Sequence, residues 1–274
     1  MSEVVDIQRG EAPLLLSIPH AGTGIPEDVE AQLISPWLAN KDADWWVHRL
    51  YDFALNLGAT VVRARLSRTV IDVNRDPSGA SLYPGQATTG ICPTTTFDGQ
   101  PLYADGQVPT EAEVARRRRR YFEPYHDALR AELDRLQRNH ACVVLYDAHS
   151  IRSRVPRLFE GELPNFNIGS NGGISCSPVL VAAIEAICAR TSFTWVTNGR
   201  FRGGWITRHY GKPDRAVHAI QLELACRGYL AEPRGPLSPD CWPPRYDISV
   251  AATMRAALVE ILQGCLAFAD GRVT

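Results

Sequence analysis

The sequence predicts an α/β fold: a mostly parallel central sheet flanked by helices. Three observations predict it. Short apolar runs recur along the chain, helical patterns alternate with them, and four of the runs end in or carry a residue able to do chemistry. The four are LLLSIPH, ending at His20; TVIDVNR, ending at Arg75; VVLYDAH, ending at His149; and AIQLELA, carrying Glu223. Apolar runs of this length beside turn signals are the pattern of buried parallel strands. An open α/β sheet binds its ligand outside the carboxyl ends of the strands. Two imidazoles, a guanidinium and carboxylates are therefore expected along one edge.

Strand signals fall near 13–19, 59–64, 69–74, 141–147, 193–197 and 217–224. A helix is expected from Asp44 to Leu57, where apolar residues keep helical spacing and Gly58 offers a C-terminal stop. Another opens at Thr110, whose side chain and Glu113 can form a capping box, and runs to Asn139 with a kink or break at Pro124. Ser177 and Pro178 suit an N-cap and a first helical position before VLVAAIEAICAR. A last helix runs from about Asp247 to Phe268. Two stretches lack periodicity, 76–108 and 150–177. Each follows a run with a candidate site residue, so both are expected to wall or cover a pocket. With no repeat and no low-complexity linker, residues 1–274 are expected to form a single domain.

Bulk properties narrow the function. The chain has 274 residues, 45% of them apolar, and a formal net charge of −1, which argues against a nucleic acid or a membrane surface as main partner. No apolar stretch of membrane-span length is expected, and the start MSEVVDIQRGEAP lacks a signal-peptide pattern, so a cytoplasmic protein is expected. The seven cysteines are odd in number, irregular in spacing and without a C-x-x-C, which disfavours a disulfide framework or a cysteine zinc knot. Cys176, in GGISCSP, is the one cysteine whose flanks could face a site. The basic run Arg116–Arg120 lies in a predicted helix, spreads around the whole cylinder and has Glu111, Glu113 and Glu123 nearby, so it reads as a solvated surface.

The candidate site residues follow from chemistry. A catalytic zinc usually takes three ligands from His, Asp and Glu. His20 follows a strand and a proline, with Gly22 and Gly24 allowing a tight turn; His149 lies in D-A-H-S, and Asp147 shares its strand face. The segment N-K-D-A-D-W-W offers Asp42 and Asp44 as a carboxylate ligand, and helix capping would equally suit them. Arg75, in D-V-N-R-D, can hold a carboxylate through two parallel hydrogen bonds or pair with Asp72 or Asp76. Glu223 is flanked by apolar residues; a buried Glu must be compensated, as a general base or in an ion pair with Arg227. The donor-rich segment 200–211, R-F-R-G-G-W-I-T-R-H-Y-G, places Arg202, Gly204, Thr207 and His209 near an anion. This constellation points to a metal-dependent hydrolase acting on a small anionic substrate, against a catalytically silent anion-binding domain.

Taken in order, S-I-P-H-A-G (17–22), D-A-D-W (42–45), S-R-T-V-I-D-V-N-R (67–75), Y-D-A-H-S-I-R-S (146–153), R-L-F-E-G (157–161), the 200–211 segment and Q-L-E-L resemble the N-formylglutamate amidohydrolase family over nearly the whole chain. The resemblance implies a phosphorylase/hydrolase-like, zinc carboxypeptidase-like fold. It also implies hydrolysis of N-formyl-L-glutamate in histidine degradation, with a divalent metal, Zn2+ foremost; another N-acyl amino acid is the alternative substrate. Carried over, the metal set is His20, Asp44 and His149. Asp44 is preferred to Asp42 because Leu50 and Ala54 follow it at the family's helical spacing. Glu223 matches the base. Arg75 matches the carboxylate clamp, with Asn74, Arg152 and Arg202 as helpers.

Overall fold

Seven strands form one sheet in the order β1-β3-β2-β4-β7-β5-β6 in a computed structural model that describes residues 3–81, 85 and 88–272. In chain order, β1 (Val5–Gln8) and β2 (Leu14–Ile18) precede the short helices α1 (Glu27–Glu30), α2 (Pro36–Asn40) and α3 (Val47–Leu50). β3 (Thr60–Ala64), α4 (Glu111–Arg117), α5 (Glu123–Asn139), β4 (Val143–Ile151), β5 (Phe166–Gly169) and α6 (Pro178–Ala189) follow. β6 (Trp195–Thr197), α7 (Trp205–Tyr210), β7 (Val217–Ala225) and α8 (Ile248–Ala269) complete the chain. β3, β2, β4 and β7 run parallel, whereas β1 opposes β3 and β5 opposes β7, so the sheet is mixed with a parallel centre. The chain leaves β2 for β3 on one side and reaches β4 on the other. The carboxyl ends of β2 and β4 therefore flank a switch point, where α/β sheets open a crevice.

Alternation along the central strands decides what fills each face. Leu14, Leu16 and Ile18, Val144, Tyr146 and Ala148, and Ile220, Leu222 and Leu224 point to one side, where α6, α8 and α3 bury them. The other side changes character midway. Leu15, Val143, Leu145, Val217 and Ala219 pack against α5, but further along the same face stand Ser17, Asp147, His149, Gln221 and Glu223. The register aligns this change, because Ser17 pairs with Asp147, Asp147 with Gln221, and His149 with Glu223. Buried polar groups need partners, so this half-face requires either an internal network or a ligand.

Several sequence expectations are refined by the structure. Residues 69–74 form turns rather than a strand, because the Asp72 carboxylate accepts the Asn74 N–H at 2.9 Å, a local bond that competes with a ladder. Asp72 and Asn74 therefore do not share a strand face. The helix expected from Asp44 to Leu57 starts only after Trp46, which sits at φ 64, and divides at Tyr51 into α3 and a 3-10 turn at 52–57; Gly58 does stop it, at φ 76. Thr110 caps α4, and Pro124 lies in the first turn of α5 after a π-helical turn at 118–122. Ser177 caps α6 through the Val179 N–H, a bond worth about 1 kcal/mol at such positions. The stretch 150–177 includes β5, which alternation alone did not reveal. α8, at 22 residues, is long and apolar enough to cross a membrane by length and composition, contrary to expectation; here Met254, Leu258, Ile261 and Leu262 on it pack into the core. Cys176 is buried in that same core, and burial pushes its thiol up to about 12.

Candidate metal centre and its cleft

The polar half-face gathers a cluster of titratable side chains. His20, Asp44 and His149 each offer a ligand atom, and these atoms lie within 4.8 Å of one another. Each arrives by a different route. His20 continues β2 past Pro19, and His149 belongs to β4. Asp44 is tied in by its own N–H, which donates to the His20 carbonyl at 3.0 Å, while its Oδ2 accepts the Ser150 N–H at 3.1 Å. The carboxylate therefore binds the cluster instead of capping a helix. Asp42 turns away, accepting from the Phe97 N–H at 2.6 Å and from Arg152 at 3.0 Å.

A second ring of groups orients this set. Asp72 Oδ1 lies 2.7 Å from His20 Nε2, and Asp72 Oδ2 accepts from Arg68 at 2.7 Å. Burial opposes the charge on Asp72, yet Arg75, His20 and Arg68 hold its carboxyl well below the usual range. An ionised Asp72 only accepts, so His20 donates through Nε2. Burial lowers the His20 pKa and keeps the ring neutral, which leaves Nδ1 as a lone pair. That Nδ1 and Asp44 Oδ1 are both buried without a hydrogen-bond partner among the described residues. A buried, unpartnered imidazole lone pair 3.8 Å from a carboxylate oxygen fits a cation, and a carboxylate behind a ligating imidazole is the usual support for one.

His149 is held on both sides. Its Nδ1 lies 2.9 Å from Asp44 Oδ2, and its Nε2 lies 3.1 Å from Asp147 Oδ2 and 2.8 Å from Asn74 Nδ2. Burial works against the imidazolium, but Asp147 and Asp44 outweigh it and raise the pKa well above 6.5. Asp147 accepts from the Ser17 hydroxyl at 2.9 Å and from Asn74 Nδ2 at 3.1 Å. A cation taking His149 must displace the proton shared with Asp44. Cation binding is therefore expected to release protons and to strengthen as pH rises. Calorimetry in buffers of different ionisation enthalpy checks this, and identical apparent enthalpies in all buffers would contradict it.

A cleft open to solvent borders the cluster. Of the residues expected from the sequence, His20, Asn74, Arg75, His149, Gly204 and Glu223 line it. Glu223 is 7% exposed, and burial pushes its carboxyl up to about 7 against the pull of His149. Arg75 is held by the Thr89 carbonyl at 3.1 Å and hydroxyl at 3.2 Å. The Asn74 Oδ1 accepts the Ile206 N–H at 2.8 Å, fixing α7 against the site. Gly204 is required there, since a Cβ would stand 2.4 Å from Asn74.

Five expected residues lie outside the cleft lining; of these Asp44, 1% exposed, sits behind it against the two histidines. The Arg152 guanidinium is taken by Asp42 at 3.0 Å and Asp98 at 3.1 Å. Arg202 is exposed. Thr207 is buried behind the site, its hydroxyl 3.5 Å from Asp147, and His209 stacks on Trp205 at 4.8 Å. Among the lining residues not singled out from the sequence are Arg68, Arg200 and Gln221. Gln221 was legible, two residues before Glu223 and so on its strand face; its Oε1 accepts the Gly204 N–H at 2.7 Å and its Nε2 lies 3.4 Å from Glu223 Oε2.

Fold and donor set together define a metal-dependent hydrolase of the α/β class. The sequence pattern described as N-formylglutamate amidohydrolase matches residues 12–230, and the chain belongs to that family. It is 45% identical over 273 residues to an N-formylglutamate deformylase of Pseudomonas aeruginosa, covering 99% of both chains. It is 44% identical to one of Pseudomonas putida, with the same coverage. Its fold matches the crystal structure of N-formylglutamate amidohydrolase from Ralstonia eutropha JMP134 with a TM-score of 0.80 at 24% identity, over 99% of this chain and 100% of that one. A gene product of Agrobacterium tumefaciens shares the fold at a TM-score of 0.69 and 20% identity, over 97% and 96% of the two chains.

Proposed function

We propose that this chain hydrolyses N-formyl-L-glutamate to L-glutamate and formate, the reaction named for its Pseudomonas relatives. The observation that carries the reading is the buried His20–Asp44–His149 cluster beside Glu223 at the mouth of an arginine-lined cleft. His20, Asp44 and His149 would hold a divalent cation, and their N/O donor set suits zinc among other such ions. When bound, such a cation polarises a carbonyl and lowers the pKa of a water. Glu223 takes the proton of the attacking water and later gives it to the leaving amine; a carboxyl near 7 serves both steps. The C–O bond forms, the C–N bond breaks, and formate leaves with the water oxygen. Arg75 holds one substrate carboxylate and Arg200 the other, the task that Arg152 and Arg202 are not placed to do. A substrate with so little apolar surface is fixed by its charges. Asn74 and Gly204 shape the floor beneath it.

The rest of the reading follows. Residues 1–274 act as one domain, since a single sheet and the loops leaving its strands bring together every proposed ligand and the base. The mixed sheet is of zinc carboxypeptidase-like type. The enzyme works in the cytoplasm, in histidine degradation. The test is formate release from N-formyl-L-glutamate before and after chelation, with zinc, cobalt or manganese restored. Release is expected to vanish on chelation and return with the cation; release unchanged by chelation would sink the proposal.

A further inference from the structure

Arg152 prompts a question, because a buried arginine so near the cleft takes no part in lining it. It is 8% exposed and belongs to a chain of alternating charges. Lys41 Nζ lies 2.7 Å from Asp98, Asp98 3.0 Å from Arg152, and Arg152 3.0 Å from Asp42. Lys41 also donates to Gln100 at 2.7 Å, and Asp42 accepts the Phe97 N–H at 2.6 Å. The turn 96–100, closed by the Thr96 N–H on the Gln100 carbonyl at 2.9 Å, is thus clasped on both flanks. Lys41 and Arg152 are buried while Asp98 reaches solvent; a paired, hydrogen-bonded set anchored in this way fixes geometry, whereas removing a buried member leaves its partners uncompensated.

The side chain that this clasp presents is Phe97. It is 6% exposed and lines the cleft. The Arg68 guanidinium lies over its ring at 4.9 Å from the centroid, and that guanidinium sits 3.7 Å from Asp44 and 2.7 Å from Asp72. Phe97 is therefore tied to the cation side of the cleft through Arg68. Of the other apolar lining residues, Ile151 ends β4, and Leu158 and Phe201 go with Arg200, which donates to the Leu158 carbonyl at 2.8 Å and lies over Phe201. The reacting acyl group must sit at the cation side, and the carboxylates away from it.

We infer that Phe97 is the wall that limits acyl size, and that Arg152 is a positioning residue holding it there. This rests on the deformylase reading above. A formyl carbon carries only hydrogen, so a rigid ring against the acyl site accepts it and excludes a methyl. A wall on a loose turn would yield, and the ionic clasp, anchored on the buried Lys41 and Arg152, removes that freedom. Overpacking against a fixed wall is what makes one methyl group count.

The test is a series of N-formyl-, N-acetyl- and N-propionyl-L-glutamate assayed on cation-loaded protein. Phe97→Ala is expected to raise the acetyl-to-formyl ratio of kcat/KM by about tenfold or more. Arg152→Met is expected to raise the ratio in the same direction, and Arg152→Lys, which reaches one carboxylate, to restore part of the selectivity. Melting temperature and cation content are recorded for each variant. An unchanged ratio in Phe97→Ala overturns the wall. A ratio unchanged in Arg152→Met, with only a lower melting temperature, overturns the positioning role. Wild-type protein that releases no formate, by contrast, defeats the deformylase reading itself.

Discussion

Glu223→Gln is expected to lower kcat for formate release by about 10²- to 10⁴-fold, the usual contribution of a positioned general base. The substitution keeps the shape of the side chain and removes its ability to accept a proton. Bound cation and KM should change little, because Glu223 lies beside the His20–Asp44–His149 set and not within it. Its pH behaviour follows from burial. The carboxyl is raised to about 7, chiefly by desolvation, and a base works only when ionised. Activity in the wild type should therefore fall as pH drops, along a one-proton limb. A bound cation favours the carboxylate, so the limb lies at about 7 or below. In Glu223→Gln this limb should disappear from the residual rate. Full turnover with an unaltered limb would remove Glu223 from the mechanism.

How far the sequence disclosed this site depends on whether a residue's position is set locally. His20, His149 and Glu223 were legible because strand periodicity and the switch from apolar to polar residues place them at carboxyl ends. Arg75 was found for a wrong reason. The run TVIDVNR has strand composition, but the Asp72 side chain bonds the Asn74 N–H and folds it into a turn. Asp44 over Asp42 rested on resemblance, since both offer the same chemistry two residues apart; only the His20 carbonyl and the Ser150 N–H separate them. Arg152, Arg202, Thr207 and His209 sit in donor-rich segments, and composition does not say where a long side chain ends. Arg152 ends between Asp42 and Asp98, partners 110 and 54 residues away. Arg68 was passed over although it stands in a quoted motif, because its function arises only when Asp72 and Asp44 converge on it. Non-local charge pairing is the information that a linear pattern lacks.

That pairing supplies a graded second expectation. Asp44→Asn should abolish stoichiometric cation binding and reduce formate release to background. The residue is 1% exposed, and its carboxylate stands between both imidazoles, 2.9 Å from His149 Nδ1 and 3.8 Å from His20 Nδ1. Asparagine fills the same space but loses the charge. Asp72→Asn and Asp147→Asn should each weaken cation affinity by about 10- to 100-fold, the usual cost of losing a carboxylate behind a ligating histidine. Asp72→Asn should be the worse of the two. It withdraws the acceptor that fixes His20, weakens the pairing of Arg68 and loosens the turn that carries Asn74 and Arg75. Asp147 supports His149 alone, and its loss leaves the Arg68 pairing and the turn at 72–75 in place. Equilibrium dialysis gives the affinities, and thermal unfolding gives an independent measure. A ligand that binds only the folded state adds about 2.7 kcal/mol at a hundredfold excess over its Kd, so zinc should raise the melting temperature of the wild type and leave that of Asp44→Asn unmoved. One equivalent of cation and normal turnover in Asp44→Asn would dismiss this residue as a ligand. Equal affinities in all three variants would show instead that the cluster is oriented by packing rather than by its carboxylates.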